Sequence, residues 1–511
     1  MRGMSVGTRT LKRTQSICPT CLQVIPARIF CDENGRVRIG KTCPKHGYCE
    51  DSYTYSDLDS YRWAELYEHP GVRLQGSSLG EETDYSRDYG LCSQNRSPTV
   101  VAVIDVTNRC NLKCPVCFAN AGSSGRVYEP TREQIEEILT RLWTNNSSPP
   151  LLLQFSGGEP TLRDDLPELI VMARKIGFEH VEVDTNGVRM AADFEFMKRC
   201  REAGMSKVYL QFDGVDDDVY RKCRGIPLMP VKKKVIENAR LLRQNIVLAV
   251  TLIRGVNDRY VGEIIKFAMA NSDVVTHVVF QPISIIGRAD AQSREAMRIN
   301  TSELLKLLET QTKGLIKASD FRPLTALIPV FKTLWALKGK RYATPSIAPT
   351  CGVVAFLIQM KKGEWIPVTQ LADLDRLFKA MGKNGEHRRG EWLLGRIEAI
   401  TALRHVKINF LRTLWLISKK DIISALKKYM GNVITIVCMH FMDPYNFDFN
   451  RVKRCAVHYG LPDGTIRSFC AYNIFHRKEI ERKFSIPYNL WLKQSSNNDV
   501  SMLEVKQIGN N

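Results

Sequence analysis

Cys110, Cys114 and Cys117 are spaced C-x3-C-x2-C and directly follow an apolar run at 100–106. Three thiolates at this spacing wrap one face of a cubane iron–sulfur cluster and leave its fourth iron without a protein ligand. An open iron is what a small molecule needs for inner-sphere binding. A structural zinc site wants four protein ligands instead. The spacing therefore points to catalysis rather than stapling; a zinc or structural iron–sulfur site completed by a distant fourth ligand is the plain alternative.

Other reactive residue types fall at the ends of apolar runs. Gly157-Gly158-Glu159-Pro160 closes the run at 151–155. Glycine permits close backbone approach, and Glu159 can accept from an ammonium group. Asp184-Thr185-Asn186-Gly187, Gln211-Phe212-Asp213-Gly214, Asn257 and Gln281-Pro282 end four later runs. Each of these, taken alone, reads equally well as a loop turn. Cys18-Pro19-Thr20-Cys21 and Cys43-Pro44-Lys45-His46 form two knuckles about 25 residues apart, a four-ligand set for tetrahedral zinc or iron. Cys31 or Cys49 can stand in for His46. Cys351, Cys438, Cys455 and Cys470 are dispersed; they are candidates for one auxiliary [4Fe–4S] cluster, with buried apolar cysteines as the alternative.

The elements that would position these residues alternate. Strand-like runs at 100–106, 151–155, 181–184, 208–212, 247–252 and 274–281 are separated by helical periodicity at 131–143, 165–176, 191–203, 231–243 and 258–270. Such alternation predicts an α/β fold of parallel strands with right-handed crossovers. Six units are too few for a closed eight-unit barrel, so the expectation is a partial, open (β/α)6 TIM-like barrel, with a doubly wound sheet as the alternative. The chain divides into a metal module at 1–55, a connector at 56–98, a core at 99–299, a basic helical region at 300–431 and a cysteine-containing region at 432–511. Basic helices are expected at 331–342 and 397–429.

The chain has 511 residues, 15 cysteines and a formal charge of +19. Without an apolar leader in the first 15 residues, cysteines read as metal ligands rather than disulfides, and the compartment as cytoplasmic. No apolar run is long enough to span a bilayer. The charge suits nucleic acid, anionic headgroups or an acidic protein, or simply a solvated surface.

The strand-loop C-x3-C-x2-C resembles the signature of the radical S-adenosylmethionine (SAM) superfamily, and Gly157–Pro160 resembles its GGEP segment. The resemblance implies a partial β/α barrel and a [4Fe–4S] cluster on Cys110, Cys114 and Cys117. It also implies SAM, cleaved after one-electron reduction by a separate donor to a 5′-deoxyadenosyl radical that abstracts hydrogen from substrate. It places the methionine amino group of SAM near Glu159, its carboxylate near Arg221 or Arg224, its ribose and the substrate near Asn186 and Asp213, and its adenine near Gln281, with Asn257 alongside. Over nearly the full chain the arrangement is similar to archaeal tetraether lipid synthases and their relatives, some of which are named pterin methyltransferases. The similarity extends to His440–Asp448, Arg454-Cys455, Pro462-Asp463-Gly464 and Phe469–Asn473. That group implies joining of saturated lipid chain ends, with a lipid substrate and peripheral membrane association through the basic helices. Modification or methylation of a small molecule such as a pterin is the alternative. A non-catalytic, metal-stapled nucleic-acid-binding protein is the other. The segment before the cluster loop, where relatives carry a further C-x3-C-x2-C, keeps only Cys92. This departure bears on the auxiliary clusters.

Overall fold

The computed structural model describes residues 9–69, 95, 97–144, 149–337, 344–361, 364–381 and 431–495. Cys92 and the expected helix at 397–429 lie outside the described residues.

Strands β1 (Arg9–Ile17), β2 (Val24–Cys31), β3 (Arg36–Cys43) and β4 (Gly47–Asp57) form an antiparallel meander. The core follows with β5 (Val101–Thr107), the short β6 (Arg126–Tyr128), β7 (Leu152–Gly157), β8 (Val181–Thr185), β9 (Lys207–Gln211), β10 (Asn245–Leu252) and β11 (Val275–Pro282). Except for β6, these pair in parallel, each with its sequence neighbour. Helices Arg132–Thr144, Leu166–Ile176, Met229–Leu242 and Val261–Ala270 supply crossovers, as expected. The expected helix at 191–203 is instead two pieces, Val188–Ala192 and Phe194–Glu202. Asp193 breaks it: its carboxylate accepts from the Phe196 N–H at 2.9 Å and caps the second piece.

The sheet continues beyond the six expected strands. After β12 (Arg322–Pro323), β13 (Gly352–Lys361) and β14 (Glu364–Pro367) comes β15 (Val433–Met439), which lies parallel to β11. After it β16 (Val457–Gly460) lies parallel to β5 at the opposite edge, followed by β17 (Ile466–Ser468) and β18 (Ser485–Pro487). Residues 440–456 therefore cross from one edge of the parallel arc to the other, and the described part of the cysteine-containing region, 432–495, adds strands to the core sheet. The basic helix expected at 331–342 appears as Ile328–Leu337. Among the described residues no helix is long and apolar enough to cross a membrane.

Side chains alternate between the two faces of each strand. Ile104, Leu153, Phe155, Val181, Val183, Val208, Leu210, Ile246 and Leu248 are shut away from solvent in the cluster that also takes Ile135 and Leu139 from the first crossover helix. The opposite, inner face carries Asp105, Gln154, Ser156, Glu182, Asp184, Tyr209, Gln211, Thr251, His277 and Gln281, beside the apolar Val103, Val247, Ala249 and Val279. Gln281 Nε2 donates to the Tyr209 hydroxyl at 2.7 Å although β10 lies between their strands. That contact shows how strongly the sheet curves.

The C-terminal helix Arg477–Phe484 is tied to this inner face. Arg477 Nη1 lies 2.6 Å from Asp105 Oδ2, with side-chain exposures of 7% and 4%. Removing one partner of such a pair strands the other charge, at about 3–5 kcal/mol. Arg477→Ala is expected to lower unfolding stability by about that amount in chemical denaturation, and Asp105→Asn combined with Arg477→Met by clearly less.

Candidate active site

The cysteine loop leaves the end of β5 and is clamped on two sides. On one side the turn after β7 presses against it: Gly158 N donates to Thr107 O at 2.7 Å and Glu159 N to Arg109 O at 2.8 Å. A Cβ at Gly157 would stand 2.1 Å from Thr107 O, and one at Gly158 would stand 2.2 Å from Arg109 O. The glycine pair thus makes room for the cysteine loop itself. On the other side Arg224 Nη1 donates to Val116 O at 3.1 Å, between the second and third cysteines. Its remaining donors go to Asp213 at 2.6 and 2.9 Å and to Thr251 Oγ1 at 3.0 Å.

The expected SAM-contact residues gather round this loop, but several spend their polar atoms on one another. Glu159 is 1% exposed. Its Oε1 accepts from Thr161 N, Thr161 Oγ1 and Thr185 Oγ1 at 3.2, 2.6 and 2.7 Å, and its Oε2 from Asn186 N at 2.7 Å. Burial pushes its carboxyl up, against the pull of those donors. The carboxylate thus acts as a strut beneath Asn186. Arg224 is paired with Asp213, a buried counter-charge beside it. Arg221 points to the surface and pairs with Asp218 at 2.7 Å. Asn257 closes the tops of β9 and β10: its Nδ2 donates to Asp213 O at 2.9 Å and Thr251 O at 2.8 Å. Asn186 reaches the cluster loop directly, with its Nδ2 donating to Asn111 Oδ1 at 2.7 Å. Pro160 opens a buried turn of 3-10 helix, and Gln281 faces the lumen.

The three thiols fit an iron–sulfur cluster. Burial is the largest cause of their shifts, pushing Cys110 up to about 12 and lifting Cys114 as well, and the neighbouring thiols add to both. Buried thiols stay neutral until a metal's positive charge makes the thiolate favourable. Cys223 lies near Cys114, but it packs with Val219, Ile253, Ile283 and Ile285.

Lys232 was not singled out by its sequence context. It is fully buried, and its Nζ donates to Asn186 O at 2.6 Å and Gln211 Oε1 at 3.0 Å. Burial brings its amine down to about 7. The usable signal is its position on the stripe with Val235, Ile236 and Ala239, all buried.

In the meander, Cys18, Cys21, Cys43 and His46 place their ligand atoms within 4.8 Å of one another. Burial pushes the Cys18 thiol up, but the backbone N–H groups of Cys21 and Thr20 outweigh it and bring it down to about 6. Cys31, whose thiol faces Asp32 O at 3.6 Å, and Cys49 are outside the set. Three sulfurs and one imidazole suit a closed tetrahedral site. This module carries the segment over the lumen. Lys41 Nζ donates to Pro444 O at 2.8 Å and Tyr445 O at 2.9 Å, and the Tyr53 hydroxyl donates to Asp448 Oδ2 at 2.7 Å.

The dispersed cysteines do not converge as one set of four. Cys351 and Cys470 lie around Arg451, and Cys455 interacts with both. Cys438 turns to the opposite face of β15, 3.8 Å from Thr301 Oγ1, because side chains alternate along a strand.

A family model described as the radical SAM superfamily matches residues 104–268. Another, the HMPTM N-terminal zinc ribbon domain, matches residues 10–54. The 7,8-dihydro-6-hydroxymethylpterin dimethyltransferase of Methanocaldococcus jannaschii is 41% identical over 94% of this chain and 97% of its own length. The chain belongs to the radical SAM superfamily. This radical SAM enzyme also matches the Fe-coproporphyrin III synthase of Methanosarcina barkeri, 38% identical over 26% of this chain and 32% of that one. The solved structure of methylornithine synthase is 15% identical, with a TM-score of 0.33, over 42% of this chain and 64% of that one. The cofactors of this radical SAM enzyme are a [4Fe–4S] cluster and SAM, and its zinc-ribbon module suits a single metal ion.

Two outcomes follow for this radical SAM enzyme. Gly158→Ala should leave the fold intact by circular dichroism but cut cluster iron per chain to well under half, because its Cβ collides with the loop backbone. Replacing Cys18 with Ala should remove the ribbon's metal and lower the melting temperature, since binding free energy at such a site is folding free energy.

Proposed function

We propose that Cys110, Cys114 and Cys117 hold the cluster and that the radical acts on a pterin-type heterocycle. The observation that carries this reading is the 41% identity, over almost the whole of both chains, to a protein named as a pterin dimethyltransferase. When bound, the cluster and SAM supply reductive cleavage to methionine and a 5′-deoxyadenosyl radical. The protein's share is position and exclusion of water. Gly157 and Gly158 let the cysteine loop sit tightly on β7. Arg224 fixes the loop from the other side. Glu159 and Lys232 hold Asn186 from two directions, with its side-chain amide turned to the loop.

The polar inner face supports a hydrogen-bonding substrate. Joining of saturated lipid chain ends, with an associated membrane contact, has no named relative among those above to support it; it is the second arm of the test. The nucleic-acid-binding alternative leaves the family match unexplained. The ribbon residues Cys18, Cys21, Cys43 and His46 are assigned here to one zinc or iron ion. Cys351, Cys455 and Cys470, without Cys438, are assigned to a second cluster.

Anaerobically reconstituted protein with SAM and dithionite is expected to form 5′-deoxyadenosine, and Cys114→Ala to form none. Added 7,8-dihydro-6-hydroxymethylpterin, deuterated on its ring carbons, should pass deuterium into 5′-deoxyadenosine, and, with a separate one-carbon donor supplied as the source of the methyl carbon, should gain one or two methyl groups by mass spectrometry. If the pterin is unchanged and an archaeal diether lipid loses two hydrogens per bond formed, the pterin reading fails and chain coupling replaces it.

A further inference from the structure

One carboxyl on the inner face has no counter-charge. Asp105 stands opposite Ser156, and Asp184 opposite Tyr209, in the strand register. Ser156 Oγ donates to Asp184 Oδ2 at 3.1 Å, so the four residues form one row across β5, β7, β8 and β9. The other buried carboxylates here are answered. Asp105 has Arg477 at 2.6 Å, Glu182 has Lys207 at 3.4 Å and Asp213 has Arg224 at 2.6 Å; Glu159 has its four donors. Among the described residues no salt bridge engages Asp184. Its hydrogen-bond partner is a single hydroxyl.

Asp184 and Tyr209 are half-buried, while their strand neighbours Val183 and Val208 are completely buried. Their free surface therefore opens to the lumen and not to the helical layer. The row lies one step below the strand ends that carry Asn186 and Gln211, deeper than the cluster loop's contacts. Burial pushes the Asp184 carboxyl up to about 7, so its charged form is costly while it has one weak donor. A ligand that brings two parallel N–H donors would repay that cost, since a carboxylate accepts such a pair side by side. The aminopyrimidine edge of a pterin presents two adjacent N–H groups in one plane, beside a carbonyl oxygen. Tyr209, whose hydroxyl already accepts from Gln281, has a proton to give to that oxygen.

We propose that Asp184 recognises the 2-amino-4-oxopyrimidine edge of the substrate, with the Tyr209 hydroxyl donating to its oxo group. This rests on the pterin reading above and names the residues that read the ring.

The test titrates the full chain, reconstituted and SAM-bound without reductant, with 7,8-dihydro-6-hydroxymethylpterin and with its 2-oxo counterpart, which lacks the amino group. The expected wild-type preference for the amino form is about tenfold or more, as for sites whose buried polar groups a ligand must satisfy. Asp184→Asn keeps the side chain's size and its acceptor for Ser156. It should weaken pterin binding about tenfold or more and erase the preference, with melting temperature and SAM affinity as in wild type. Equal pterin affinity in wild type and Asp184→Asn overturns this assignment and leaves the pterin reading standing. No pterin binding by wild type overturns both. Should Asp184→Asn fail to fold, Tyr209→Phe decides: an unchanged pterin affinity overturns the proposal, and a severalfold loss supports it.

Discussion

A carboxylate and a guanidinium, both closed off from water, hold the cysteine loop against the ends of two strands. Asp213 is completely buried and takes Arg224 in two bonds, while Thr251 N donates to its Oδ1 at 3.1 Å and Gln211 Nε2 to its Oδ2. Arg224 in turn reaches Val116 O. One ion pair thus joins β9, β10, the helix Asp217–Arg224 and the loop that carries the thiols. Breaking it would leave a charge stranded in a site with no water to receive it. The loop therefore cannot relax independently of the sheet, and the geometry around the thiols is set before any cofactor arrives. Preorganisation of that kind is the protein's contribution where cofactors carry the chemistry.

The sequence made the cluster loop, the glycine pair and the strand–helix alternation readable because each is local. What it left out shares a physical cause: residue type shows what a group can bond, and only the fold shows what reaches it. The ion pair of Arg224 with Asp213, 11 residues earlier, is visible only once the two stand side by side. The bonds from Thr185 and Asn186 to Glu159 are visible only once β8 brings them there. Strands β15 and β16 were hidden for a different reason. Their parallel partners, β11 and β5, lie far away in the chain, so no crossover pattern marks their place in the sheet, although Pro462-Asp463-Gly464 marks the hairpin from β16 to β17. Cys438 was grouped with its fellow cysteines by residue type alone; the period of two along β15 sends it to the other face.

The ribbon and the core are joined by groups that would be costly to bury apart. Lys41 is 3% exposed, and burial brings its amine down to about 8. What holds it there is a set of carbonyl and hydroxyl acceptors, two of them in the segment that crosses the lumen. Asp51 of β4 meets Arg298 at 3.2 Å, and Arg298 meets Asp443 at 2.8 Å. A metal bound in the ribbon would therefore stabilise more than its own four ligands. It would fix the strands that carry Lys41 and Asp51, and through them the crossing segment Asp443–Asp448.

The inner face bears on the substrate proposed above. An alkyl chain end placed against Asp184, Gln154 and Gln281 would take water from those groups and return no hydrogen bond. Each polar group left unpaired in that way costs about 1–3 kcal/mol, more than the burial of a methylene, about 0.8 kcal/mol, gives back. A planar heterocycle with its own donors and acceptors replaces the water bond for bond. The outer face of the same strands shows what an apolar lining looks like in this protein: Val181, Val183, Val208 and Leu210, wholly buried against helices. Placing Glu182, Asp184, Tyr209 and Gln211 on alternate positions of those strands gives one sheet two faces, one that packs against the helices and one that turns polar groups inward.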